Sequence, residues 1–261
     1  MNCLIETALL THGLRSIANE ELAQSWHCPD AILAWVDGGK LKLGPIGEYL
    51  PFRERSEELI RIDCDHLEEA LQTGASGALT ASGTMAVCRR LDIPMAITCG
   101  MGGIGDLRGE ELCPDLPALM NIPVALISTS PKDMLDRPAT LDWLRRHGVH
   151  TAGEPCTGYL FCGESVALEL PLSSCNNEAV VRRLTANGGL LLLNPIPEKE
   201  RVQDQSILVD AIKAGKQAEA EGHYYHPAAN GEIDRRTDGY SSRIQLESIQ
   251  QNYLLAKSIM D

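Results

Sequence analysis

Short apolar runs alternate along the chain with longer stretches of helical period. Residues 31–36 form a strand-sized apolar run, Asp37-Gly38-Gly39 supplies a tight turn, and residues 40–43 alternate polar and apolar. Together they predict a β-hairpin. Asp65-x-x-Glu68 has the form of a capping box and opens a short helix ending near Gly74. A second helix is predicted over 80–91 and a buried strand over 94–98. Further strands fall at 122–127, 149–151 and 190–193. The Leu9-Leu10 run followed by Thr11 and His12 reads as the polar end of a strand. A helix over 141–147 closes on Arg145, Arg146 and His147 with Gly148 beyond, while His150 reads as the surface of the next strand.

Residues 153–177 are polar and irregular. Two clear helices follow, 206–221 stopping at Gly222, and 242–260 with Leu246, Ile249, Tyr253, Ala256 and Met260 on one face. Strands that alternate with helices imply a layered α/β/α fold with a mostly parallel sheet, and the early hairpin makes that sheet mixed. With no internal repeat or low-complexity linker, the 261 residues are expected to form a single domain.

Charge narrows the partners. The chain carries 36 acidic and 23 basic residues, a net −13, and such a field repels nucleic-acid backbones and anionic membrane surfaces. No run approaches the ~18 apolar residues of a spanning helix, and the start of the chain lacks a signal-peptide pattern. Nine cysteines are scattered singly with no Cys-x-x-Cys, which points to reduced thiols and a cytoplasmic setting.

Three segments carry candidate chemistry. Thr98-Cys99-Gly100-Met101-Gly102-Gly103-Ile104-Gly105 follows a strand and is rich in glycine, so its amides can approach an anion closely. It matches neither a dinucleotide-binding nor a Walker pattern, and taken alone it fits an ordinary surface loop as well as an anion cradle. Lys132, in Ser130-Pro131-Lys132-Asp133, lies just beyond the carboxyl end of a strand, where α/β sheets gather ligands. Desolvated there, it could attack a carbonyl as a Schiff-base lysine, although most lysines are solvated surface charges. Glu110, Glu111 and Asp115 offer hard oxygen ligands suited to magnesium or manganese, or form a solvated acidic turn. There is no G-x-S-x-G to support a hydrolase elbow.

Read in order, these pieces resemble the pseudouridine-5'-phosphate glycosidase family, also called indigoidine-synthase-A-like proteins. Glu6-Thr7-Ala8-Leu9-Leu10-Thr11-His12-Gly13, with Asn19 beyond, resembles the family's E-[ST]-T-I-I-[ST]-H-G-M-P-x-P-Q-N. PDAILAWVDGGKLKLG (29–44) and GALTASGTM (77–85) resemble P-A-T-I-A-V-x-D-G-x-I-x-V-G and G-A-T-T-V-A-A-T-M. The glycine loop through Asp115, then Ser130-Pro131-Lys132-Asp133-Met134-Leu135-Asp136 and GGLLLLNPIP (188–197), continue the register across practically the whole chain.

The resemblance implies an enzyme that interconverts pseudouridine 5'-phosphate and water with uracil and ribose 5-phosphate. A carbon leaving group is not served by an ordinary glycosidase carboxylate pair, and the family uses an amine on the opened ribose. Lys132 falls on its nucleophile and Glu6 on its general acid/base. Glu111 falls on a metal-binding Asp, implying a manganese or similar divalent cofactor. Cys113, Pro114 and Asp115 fall on a substrate-contacting S-A-D, Arg61 on a substrate-binding Lys, Ala81 on a backbone contact near the phosphate, and Gln245 on a base-contacting Asn. The resemblance further implies a homotrimer and a small phosphosugar or nucleobase substrate. Departures gather on the phosphate and base sides: residues 15–18 replace P-x-P-Q, Asp106-Leu107-Arg108-Gly109 lacks the family histidine, and Cys113 replaces Ser. They leave room for a C-glycosynthase acting on another base, or a non-catalytic phosphosugar-binding relative.

Overall fold

A computed structural model of the chain describes residues 2–105, 113–186, 188–223 and 225–260. Period-two burial in its strands explains the layers, because successive strand side chains point to opposite faces. In β1 (Cys3–Ile5), Leu4 joins one apolar cluster and Ile5 the other. β2 (Leu33–Asp37) sends Leu33 and Trp35 to one cluster and Ala34 and Val36 to the other. The late strand β11 (Leu190–Leu193) splits its four leucines the same way. Both faces of the sheet are therefore apolar and both need helices. One face takes α1 (Asn19–Ser25), α2 (Ile46–Arg53), α7 (Glu178–Thr185), α8 (Gln205–Ala220), α9 (Tyr225–Arg236) and α10 (Tyr240–Met260). The other takes α3 (Leu67–Thr73), α4 (Ala81–Arg90), α5 (Asp115–Asn121) and α6 (Arg137–Arg146). This is the expected α/β/α arrangement.

The strand order is β10-β11-β8-β6-β1-β2-β5-β4, with β3 paired to β2. Here β3 is Lys40–Gly44, β4 Ile60–Ile62, β5 Gly77–Leu79, β6 Met95–Ile97, β8 Ala125–Ser128 and β10 His150–Gly153. Most neighbours are parallel, and β2 is antiparallel to both β3 and β5, so the sheet is mixed. The hairpin turns at Gly38 (φ +57°) and Gly39 (φ +71°), left-handed positions that favour glycine. A second, parallel pair joins β7 (Gly100–Met101) to β9 (Ser130–Pro131) and ties the glycine loop to the segment that carries Lys132.

Several boundaries differ from expectation for identifiable reasons. Residues Leu9–Gly13 form a π-helical turn rather than a strand end. The Arg53 guanidinium holds that turn, donating to the carbonyls of Leu10 (2.6 Å), Leu14 (2.9 Å) and Ile17 (2.8 Å), a constraint that no local pattern displays. α6 begins earlier than expected because Asp136 caps it, accepting from the amide of Ala139 (2.9 Å). α4 starts as predicted, with Thr80 as its cap, and α3 ends on Gly74 at φ +77°. His147 terminates α6 and His150 opens the edge strand β10. All nine cysteines are free. Among the described residues no helix is long and apolar enough to cross a membrane.

Candidate active site

The carboxyl ends of adjacent strands converge on one cleft, the place where open α/β sheets assemble ligand sites. Glu6 follows β1, Thr98 follows β6, Thr80 follows β5, and Lys132 follows β8 through β9. Arg61, within β4, completes the edge. Thr7 locks the geometry between strands: its hydroxyl donates to the carbonyl of Ala34 (2.8 Å) and accepts from the amide of Leu79 (3.0 Å). The cleft is lined by Glu6, Arg61, Ala81, Asp115 and Lys132 together.

Burial sets the protonation of the two central groups. Glu6 is 6% exposed, and its carboxyl is pushed up to about 7 by desolvation, against the Thr98 hydroxyl that donates to it at 2.7 Å and the charges of Lys132 and Arg61. The Lys132 ammonium is pushed down from its ordinary value, first by burial and then by Arg61. Asp115 and Glu6 pull it the other way. Burial thus drives both groups toward their neutral forms, an amine that can attack and a carboxyl that can give a proton.

Asp115 performs a structural task inside the cleft. One carboxylate oxygen accepts from the Ser82 amide at the start of α4 (3.1 Å), the other from the Gly102 amide (2.8 Å). The glycine loop therefore cradles a carboxylate of this chain itself. Gly102 has no room for a side chain, since a Cβ there would sit 1.9 Å from Cys113 Sγ. Cys113 and Pro114 line an adjoining lobe that shares Arg61, Asp115 and Lys132 with the main cleft. The Cys113 thiol is pushed up to about 12, chiefly by burial and then by the Asp115 charge, so it is a neutral contact and a poor nucleophile.

Gln245 is placed differently from the rest. It is 1% exposed on α10, and its carboxamide is already engaged: Oε1 accepts from the Tyr159 hydroxyl (2.9 Å) and Nε2 donates to the Ser241 carbonyl (3.1 Å). Tyr159 lines the cleft in front of it. Tyr159, His226 and Asn230 are cleft residues that the sequence left unmarked, because they stand in an irregular segment and in the unpredicted helix α9. Glu111 lies outside the described residues. Among the described residues no group of three His, Cys, Asp or Glu side chains is arranged to hold a metal.

Comparison with known proteins agrees with this architecture. Residues 4–260 match the family described as indigoidine synthase A like protein. The chain is 26% identical over 276 residues to the pseudouridine-5'-phosphate glycosidase of Methylobacterium nodulans, covering 98% of this chain and 81% of that protein. It is 27% identical over 274 residues to the protein of the same name from Petrotoga mobilis, covering 98% and 89%. Among solved structures, an indigoidine synthase A-like protein from Thermotoga maritima superposes with a TM-score of 0.78 at 20% identity, covering 98% of this chain and 91% of that one. The prealnumycin C-glycosynthase AlnA, solved with ribulose 5-phosphate, superposes at 0.77 with 22% identity and the same coverage. Matched along practically its whole length, the chain belongs to the indigoidine synthase A-like family.

Proposed function

We propose that this protein makes or breaks the C–C bond between C1′ of a ribose 5-phosphate and a nucleobase carbon, through a covalent adduct on Lys132. The observation that carries the reading is the meeting of Lys132 and Glu6 in one cleft, with burial acting on both toward neutrality. The names of the relatives, pseudouridine-5'-phosphate glycosidases, support the reaction class.

Protonated Glu6 gives its proton to the ribose ring oxygen as the ring opens, and the Lys132 amine bonds to C1′. The Lys132 nitrogen, an ammonium once bonded, returns a proton to the Glu6 carboxylate. Its lone pair then closes a C1′=N iminium while the C–C electron pair leaves with the base, whose carbon takes that proton from Glu6. Water adds to the iminium and releases ribose 5-phosphate. In the synthetic direction the iminium is the electrophile and the base carbon attacks it. Arg61 supplies positive charge for the phosphosugar. These steps run through side chains of this chain, and Glu111 is the proposed seat of a divalent cation such as manganese.

The test is direct. Protein incubated with pseudouridine 5'-phosphate should release uracil and ribose 5-phosphate, and the reverse mixture should yield the C-nucleotide, read by liquid chromatography with mass detection. The seat of Gln245 behind Tyr159 favours a second reading, the same chemistry on a base other than uracil. It predicts a sugar adduct on Lys132 with little turnover of uracil. Absence of any sugar-dependent product or adduct removes both readings. We also propose the homotrimer; light scattering giving three times the chain mass supports it, and a monomer or dimer mass rejects it.

A further inference from the structure

Gln245, the residue expected to contact the base, stands behind Tyr159 and outside the cleft lining, its carboxamide bonded to Tyr159 and Ser241. Buried polar atoms without a partner are uncommon in folded proteins and call for an explanation. Among the described residues, three such atoms belong to residues lining this cleft: His12 Nδ1, His226 Nδ1 and Asn230 Oδ1. His226 and Asn230 stand four residues apart on α9, which places them on one helical face. They are not interchangeable with His12, whose Nε2–H donates to the Leu59 carbonyl (3.0 Å). That bond leaves Nδ1 of the neutral ring an acceptor alone, suited to a hydroxyl of the opened pentose.

We infer that His226 and Asn230 form the recognition pair for the leaving or attacking heterocycle, which carries a ring N–H beside a carbonyl. The inference rests on the reaction proposed for Lys132. Asn230 Oδ1 accepts the ring N–H, and the His226 ring donates from Nδ1 to the adjacent carbonyl. Burial, with the charges of Lys132 and Arg61 close by, holds His226 well below its ordinary value and keeps it neutral, so its ring retains one donor and one acceptor nitrogen. A lactam or imide edge offers the complementary pair. A hydrophobic ring would leave both buried atoms unsatisfied, and a second phosphate would set an acceptor oxygen against Asn230 Oδ1, each costly in a desolvated site.

Two readouts separate this inference from the reading beneath it. Borohydride trapping with ribose 5-phosphate alone reports the sugar half-reaction. C-nucleotide formation from uracil or barbiturate, each beside its N-methylated forms, reports the base. The wild type is expected to be trapped and to lose tenfold or more in kcat/KM for at least one N-methyl form. In Asn230→Leu that discrimination should shrink to less than threefold with the sugar adduct intact, and His226→Leu should raise KM for the unmethylated base tenfold. The inference is overturned if the variants keep full discrimination, if they lose the adduct in step with the base reaction, or if the trapped wild type accepts none of these heterocycles. Should a variant fail to fold, equal rates for methylated and unmethylated bases in the wild type overturn it as well. Absence of the wild-type adduct instead removes the Lys132 reading itself.

Discussion

Replacing Glu6 with Gln preserves the side-chain shape and an oxygen that can accept from Thr98, while deleting one titration. In the folded chain the Glu6 carboxyl sits at about 7 against an ordinary 4.5. The raised value means that folding favours the protonated form, so the associated stability is present at low pH and is lost as pH rises from 4.5 through about 7. At about 1.4 kcal/mol for each pH unit of displacement, the wild type loses about 3 kcal/mol relative to Glu6→Gln, of which about 2.5 kcal/mol falls between pH 5 and pH 8. Urea unfolding of both proteins, followed by tryptophan fluorescence at pH 5 and pH 8, measures the difference. Comparing the two at each pH cancels every other titrating group that they share. For a chain of this size the pH 8 advantage corresponds to roughly 6–12 °C in Tm. The same variant should be unable to complete turnover yet still form the sugar adduct on Lys132. A pH-independent gap between the two proteins, or a wild type more stable than the variant at pH 8, refutes the assignment of Glu6 as a buried, proton-holding carboxyl.

Thr98→Val removes the hydroxyl that lowers the Glu6 carboxyl, so the acid form persists further up and the high-pH limb of the rate profile should move to higher pH; an unmoved limb counts against Glu6 as the acid. Arg53→Met strips four donated hydrogen bonds, to Leu10, Leu14, Ile17 and Asn19, and should cost about 3 kcal/mol by leaving buried carbonyls unpaired, measured by denaturant midpoint. Asp115→Asn presents an amide group to one of the two backbone N–H donors it now satisfies and should cost about 2 kcal/mol, with loss of protection at Ser82 or Gly102 in hydrogen exchange.

What the sequence displayed follows how local each determinant is. The hairpin was legible because its glycine turn and alternation are contiguous, and α4, α8 and α10 because their periodicity and their caps or stops are. The π-helical turn at Leu9–Gly13 was not, since its anchor is Arg53, some forty residues away. α9 was missed for a related reason: Pro227, Asn230 and Gly231 are weak helix formers, and the helix is held by packing on α8, where the Tyr225 ring lies against Gly215. With α9 unseen, His226 and Asn230 stayed invisible as cleft residues. Glu6 and Lys132 could be named from motif register, whereas their shared cleft is a property of strand order β8-β6-β1, which no local pattern encodes.

Reductive trapping tests the central claim most directly. Wild-type protein treated with ribose 5-phosphate and borohydride, then digested and mapped by mass spectrometry, should carry one pentose phosphate on the peptide containing Lys132 and none in Lys132→Ala. An adduct spread over surface lysines such as Lys42 or Lys213, or an unlabelled Lys132 at saturating sugar, contradicts it.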